Sequence, residues 1–304
     1  MNVAVIGLGF VGLTTAALLA EDGHKVLGVD LDQDKVRLIN SGRVPLDPVP
    51  EGLEEIVREQ AVGTMRLVTS SRHCEAVKEA DVVLVCVGTP SKDSGAVDLS
   101  FIRLAGDQLG KALSGRGRRV PIILRSTVPP GTTKGTFCQA LEGAGASYGK
   151  DFTLGYNPEF LRERQAVQDM RNPPFVIAAS DSAATTEAIL ALYPDQAIRF
   201  TTFPTAELVK YALNTFHALK VAFANEMWRI AEAIGADGHA VMGAVADDPL
   251  STSSYYLRPG QAFGGHCLPK DTAGLRELAE EAGVSAHLAE AALRSNEEHR
   301  QWVS

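Results

Sequence analysis

Positive charge is what this 304-residue chain is short of: 29 Lys and Arg stand against 37 Asp and Glu, a formal net charge of −8. That balance argues against nucleic acid or a membrane surface as the main partner, although a local cluster of cations could still hold a small anionic ligand. Cysteine is scarce as well. Cys74, Cys86, Cys138 and Cys267 form no CxxC pair, so neither a disulfide framework nor a zinc site is supported and no metal is expected. With no secretory leader ahead of them, a reducing cytoplasm is the expected compartment. No apolar run reaches the roughly 18 residues that would span a membrane, and there is no internal repeat or low-complexity tract. The hydrophobic content of 45% and charged content of 22% are those of an ordinary globular protein, and the length predicts two domains.

The first motif lies at the N-terminus. Val3-Ala4-Val5-Ile6 is a short apolar strand that runs into Gly7-Leu8-Gly9-Phe10-Val11-Gly12 and then the alanine-rich helix Leu13–Ala20. This is the dinucleotide-binding fingerprint in its required context of strand, tight turn and helix. Gly7 permits the turn, Gly9 lets the backbone approach a pyrophosphate, Gly12 packs helix against strand, and the helix start offers free N–H groups to phosphate. A second strand, Lys25–Val29, ends at Asp30, where a carboxylate can accept from ribose hydroxyls. An acid there repels a 2′-phosphate, so NAD is favoured over NADP.

To about residue 200 strands alternate with helices, which predicts a parallel sheet covered on both faces. Asp81–Val87 and Val120–Arg125 are continuous apolar runs of the kind buried on both sides, so Cys86 is expected in the core. Phe152–Tyr156 is a further strand, with others predicted at Phe175–Ala179 and Ile198–Thr202. Ligands in such sheets bind beyond the carboxyl ends of the strands, which places Thr89 and Thr127 beside the glycine loop. From Thr205 to Ile234 no proline or glycine interrupts the chain, predicting a helix of about 45 Å that bridges domains or lies in a subunit interface. Lys210 and Asn214 share one face of it, with His217 close by. The organisation predicted is an NAD-binding, Rossmann-like, doubly wound and mostly parallel sheet over residues 1–203, followed by an all-helical central dimerisation and substrate domain over 204–304.

Near the C-terminus, Gln261-Ala262-Phe263-Gly264-Gly265-His266-Cys267-Leu268-Pro269-Lys270-Asp271 sets one cysteine between two glycines and a lysine–aspartate pair. Glycines allow the backbone close to a ligand and nearby cations favour the thiolate, so the motif suits a nucleophile. A buried inert cysteine is the alternative for the motif by itself.

Six ordered motifs together resemble the UDP-glucose/GDP-mannose dehydrogenase family. They are Gly7–Gly12 with Asp30, Val-Gly-Thr-Pro at 87–90, Ser-Thr-Val-Pro-Pro-Gly-Thr-Thr at 126–133, Asn-Pro-Glu-Phe-Leu-Arg-Glu at 157–163, Lys210 with Asn214, and Gly-Gly-His-Cys-Leu-Pro-Lys-Asp at 264–271. Glu207–Glu226 and residues 255–260 are most similar to the GDP-mannose branch. The resemblance implies four-electron oxidation of a nucleotide sugar's primary alcohol to the carboxylate, with two NAD and a cysteine thiohemiacetal and thioester. It implies Cys267 as nucleophile, Lys210 and Asn214 as oxyanion donors, Glu159 as base, and Thr127 and Asp271 as holders of water or relays of the proton. Phe10, Val11, Asp30, Lys35, Thr89 and Thr127 are implied to contact NAD. Leu161, Lys210, Asn214, His217, Asn225, Tyr255, Tyr256, Arg258, Gln261 and Lys270 are implied to line the GDP- or UDP-sugar site, some of them across a homodimer.

Two departures stand out. His266 occupies a position where serine is more usual in the GDP-mannose branch, and no third, C-terminal α/β domain follows residue 304. The last helix, Ala286–Ser304, stops without a glycine, asparagine or proline, which suggests a fragment of a longer protein; a natural short enzyme for a smaller sugar is the rival. Two other functions stay open, a two-electron hydroxyacid-type dehydrogenase and an NAD-binding dimerisation core without turnover.

Overall fold

A computed structural model describes residues 1–71, 77–248, 260–281, 283 and 285–304. The described residues build an eight-stranded sheet: β1 (Asn2–Ile6), β2 (Lys25–Val29), β3 (Leu67–Ser70), β4 (Val82–Val85), β5 (Val120–Leu124), β6 (Phe152–Tyr156), β7 (Val176–Ser180) and β8 (Ile198–Thr201). Their order is β3-β2-β1-β4-β5-β6-β7-β8. Every neighbouring pair is parallel except β6 and β7. The expected doubly wound, mostly parallel sheet is therefore present.

Continuous apolarity has the predicted cause. All residues of β4, β5 and β6 are buried, because both faces are covered. On one face Val3, Val5, Val26, Leu84, Ile123 and Ala178 pack with Leu13, Ala17, Val167, Ile189 and Leu192 from three helices. β3 went unpredicted for a physical reason: at four residues, with only Leu67 and Thr69 facing inward and Val68 exposed, it is too short to display a period.

Register aligns the strand ends. Ile6 lies opposite Val29 and Val85, Val85 opposite Leu124, and Leu124 opposite Tyr156. Gly7, Asp30, Cys86–Thr89, Arg125–Thr127 and Asn157–Glu159 consequently leave the sheet along one edge. The chain departs to opposite sides of β1, through β2 and β4, and ligands bind beyond that switch point in sheets of this kind.

The chain divides into two compact units, Met1–Thr89 with Leu99–Leu208, and Pro90–Asp98 with Val209–Ser304. The second is helical, with Gly238–Asp247, Leu268–Glu281 and His287–Val303 joining most of the long helix Phe203–Ile234. That helix begins two residues before its predicted start because Pro204 sits in the first turn, where its missing N–H leaves nothing unpaired. Tyr211 is fully buried in this unit, and Ala218, Ala222, Phe263 and Ala292 form one of its apolar clusters.

Candidate active site

The glycine loop is shaped by contacts that only glycine permits. Gly7 has φ +89°, and a Cβ on it would come within 2.9 Å of the Cys86 carbonyl oxygen. A Cβ on Gly12 would lie 1.8 Å from the Gly7 oxygen, so the helix Phe10–Glu21 can start this close to the loop only without a side chain there. A Cβ on Gly9, by contrast, would meet no atom within 4 Å beyond its own chain neighbours. The helix that follows has no side-chain cap and no acidic residue in its first turn, which leaves its first N–H groups and positive dipole end to an anion. Asp30, at the end of β2, accepts from Leu8 N–H (2.8 Å) and Asp32 N–H (3.0 Å), and Lys35 Nζ stands 3.9 Å away. The carboxylate thus braces the loop, and each oxygen retains a lone pair for a ribose hydroxyl. This arrangement fits a dinucleotide.

Two neighbouring loops are tied to each other. The Thr89 hydroxyl donates to the Thr127 carbonyl at 2.9 Å. Glu207, wholly buried, accepts from Gly131 N–H (2.6 Å), Thr133 N–H (2.9 Å) and the Thr133 hydroxyl (2.6 Å), pinning the far end of the loop that carries Thr127. Burial pushes the Glu207 carboxyl above its ordinary value, although these three hydrogen bonds pull the other way.

Glu159 is buried, and its Oε2 accepts from Leu161 N–H at 2.6 Å. Both line a shallow cleft whose wall includes Arg125, Asn157 and Tyr193. Arg125 Nη1 donates to Asn157 Oδ1 (2.5 Å) and the Tyr193 hydroxyl (2.6 Å), a buried charge beside the candidate base. Cys86 lies in the core as expected, and burial drives its thiol up to about 12.

The helical unit carries the other candidates. Cys267 is exposed and immediately precedes the helix Leu268–Glu281, its carbonyl accepting the Asp271 N–H at 2.8 Å. The cysteine is thus not buried, and it stands at a helix start, a place that generally favours a thiolate. In the first turn, fully buried Asp271 pairs with Lys270 Nζ at 2.5 Å and accepts from the Asn214 amide. Asn214 and Lys210 are both buried and one turn apart on the long helix. The structure thereby links Asn214, Asp271, Lys270 and the Cys267 backbone, four residues that the sequence only suggested belong together. His217 is half-buried, and burial first, then Lys220 and Lys210, lowers it to about 4.

Asn225 and Gln261 turn out to be joined through backbone rather than aligned as two side chains: Asn225 Nδ2 donates to the Gln261 carbonyl at 3.2 Å, while the Gln261 side chain is exposed. Tyr255, Tyr256 and Arg258 lie outside the described residues. Sequence reasoning missed Arg125, Glu207, Asn296 and His299, all buried polar groups. The last two carried a legible signal, since with Ala289 and Ala292 they repeat at three- and four-residue spacing on the buried stripe of the helix His287–Val303.

Residues 1–196 match the model of the UDP-glucose/GDP-mannose dehydrogenase family, NAD binding domain, and residues 204–298 match that family's central domain. The chain is 41% identical to GDP-mannose 6-dehydrogenase of Pseudomonas putida, covering 99% of this chain and 69% of that protein. A UDP-glucose dehydrogenase from the hyperthermophilic archaeon Pyrobaculum islandicum superposes with a TM-score of 0.91 at 35% identity, over 98% of this chain and 68% of the other. A ternary complex of GDP-mannose dehydrogenase from Pseudomonas aeruginosa gives a TM-score of 0.80 at 39% identity, over 99% and 69%.

Proposed function

Since the chain belongs to the UDP-glucose/GDP-mannose dehydrogenase family, and is by that membership an NAD-dependent oxidoreductase of nucleotide sugars, we propose that it takes a sugar-nucleotide primary alcohol to the uronic acid, with a GDP-mannose-like substrate favoured. The observation that carries the cysteine mechanism is the exposed Cys267 at a helix start whose first turn binds Asn214 through Asp271. NAD supplies the hydride acceptor for both oxidations, held by Gly7–Gly12 and Asp30 with Lys35, Thr89 and Thr127.

The residues divide the remaining work. The first oxidation removes a hydride and a proton from the alcohol to leave an aldehyde, with Thr127 and Asp271 holding water or relaying the proton. The Cys267 thiolate then adds to the aldehyde carbon, and the oxygen of the resulting thiohemiacetal takes up negative charge. Lys210 and the second amide N–H of Asn214 are assigned as donors to that oxyanion, an interaction worth about 3–4 kcal/mol per donor in comparable sites. Hydride loss from the thiohemiacetal leaves a thioester, and water activated by Glu159 releases the acid and regenerates the thiol. Leu161, His217, Gln261 and Lys270 are assigned to substrate contact, together with Asn225, Tyr255, Tyr256 and Arg258.

A homodimer forms part of the proposal. Leu208, Phe216 and Phe223 are 41%, 47% and 45% exposed at seven- and eight-residue spacing on the long helix, an apolar stripe suited to the same stripe on a second copy. The helical unit is assigned to dimerisation and substrate binding, and the sheet unit to NAD.

The test is product counting. Incubation with GDP-mannose or UDP-glucose should yield two NADH per sugar, and Cys267→Ser should abolish acid formation. A stoichiometry of one, or undiminished turnover of a simple 3-hydroxy acid by Cys267→Ala, would replace this mechanism with two-electron chemistry.

A further inference from the structure

The backbone leading into Cys267 is gripped by three buried side chains, two of which, Asn296 and His299, have no part in the chemistry above. Asn225 Oδ1 accepts from Gly260 N–H at 3.0 Å while its amide nitrogen donates to Gln261. Asn296 holds Phe263 at both ends, Oδ1 accepting from its N–H (2.7 Å) and Nδ2 donating to its carbonyl (2.9 Å). His299 Nε2 lies 2.7 Å from the Gly260 carbonyl; a carbonyl only accepts, so this nitrogen carries the hydrogen. All three side chains are buried.

Gly260–Phe263 lies in neither helix nor strand, and its backbone polar groups still need partners. A primary amide presents acceptor and donor side by side, so one asparagine can satisfy both groups of one residue as a neighbouring strand would. Asn296 and His299 are three apart on one face of the helix His287–Val303. The His299 ring is itself held, stacked on Trp302 at 5.4 Å between centroids and tilted against Trp228 at 5.8 Å. At the other end, Cys267 is fixed by its bond to Asp271 at the helix start. Only Gly264, Gly265 and His266 separate the two anchors, and Gly265 has φ +74°. A pliant turn is thus strung between two rigid points.

We infer that Asn296 and His299 are positioning residues for the nucleophile: by clamping Gly260 and Phe263 they keep the two-glycine turn in one shape, and so hold the Cys267 thiol at the helix start. The inference rests on the assignment of Cys267 as nucleophile and goes beyond it, because it makes the helix His287–Val303 part of the catalytic apparatus without touching substrate.

The experiment compares the full chain with Asn296→Leu, His299→Phe and His299→Gln, the last keeping an N–H at the position of Nε2. Iodoacetamide labelling of Cys267, followed by peptide mass spectrometry, requires no turnover. Labelling should slow about fivefold in Asn296→Leu and His299→Phe, because a loosened turn spends less time where the helix start stabilises the thiolate. Turnover number should fall about tenfold or more in both with NAD affinity unchanged, and His299→Gln should recover to within about twofold of wild type. Labelling as fast as wild type in His299→Phe, or a His299→Gln as impaired as His299→Phe, overturns the inference. If the wild type makes no NADH from any nucleotide sugar, the proposed reaction fails while the labelling comparison still decides the positioning role. Should Asn296→Leu not fold, the two His299 variants decide it.

Discussion

At the scale of single residues, environment assigns different chemistry to identical side chains. Cys86 and Cys138 are buried, with burial raising both thiols, whereas Cys267 is exposed at a helix start. Neutral-pH alkylation should therefore modify Cys267 first among these three, with protection by bound nucleotide sugar; equal labelling of the three would remove its claim to be the nucleophile. His217 makes a pH prediction. Its ring is lowered from 6.5 to about 4 by burial and by Lys220 and Lys210, so between those values the native state binds fewer protons than the unfolded chain. The stability contributed by a neutral His217 is present above about pH 6.5 and is lost as pH falls toward 4. His217→Gln should consequently lose less Tm than wild type between about pH 7 and pH 4.5. Parallel Tm profiles for the two proteins would dismiss this residue as a source of acid sensitivity.

At the scale of the element, the glycine loop separates folding from binding. A methyl on Gly12 meets the Gly7 oxygen at 1.8 Å, so Gly12→Ala forces loop and helix apart and should cost about 1–3 kcal/mol. Gly9 has φ −71° and open space where a Cβ would go, so Gly9→Ala should fold with nearly unchanged Tm. Its methyl would instead occupy the approach of the pyrophosphate, weakening NAD binding about tenfold, or roughly 1.4 kcal/mol. Calorimetry and thermal melts check both. A Gly9→Ala protein that binds NAD normally would show that the open space above the loop is not where the phosphates lie. Glu207 works at the same scale, with one carboxylate of the long helix fixing both Gly131 and Thr133.

For the whole molecule, the expected assembly is a dimer through the stripe of Leu208, Phe216 and Phe223. Light scattering at micromolar protein should give twice the chain mass, and Phe216→Glu with Phe223→Glu should halve it. A wild-type monomer would leave that apolar stripe without its proposed partner. Among the described residues no helix is long and apolar enough to cross a membrane.

The sequence by itself determined seven of the eight strands, the long helix and the candidate residue types of the site. Continuous apolar runs gave β4 and β5 because a strand covered on both faces has no polar period to show, and the glycine spacing gave the turn because only glycine tolerates the contacts at Gly7 and Gly12. Cys267 stood out as a candidate because a cysteine between two glycines and a lysine–aspartate pair is unusual, whereas Lys210 and Asn214 became candidates only through the family resemblance. Tertiary structure alone decided the partnerships. Asn214 meets Asp271 across 57 positions of chain, Glu207 meets Gly131 across 76, and Asn296 meets Phe263 across 33. A hydrogen bond depends on where two backbones pass each other, and local periodicity records only which face a residue turns inward. Arg125, Glu207, Asn296 and His299 therefore read as ordinary polar residues until the fold buried each of them against a particular backbone or side-chain group.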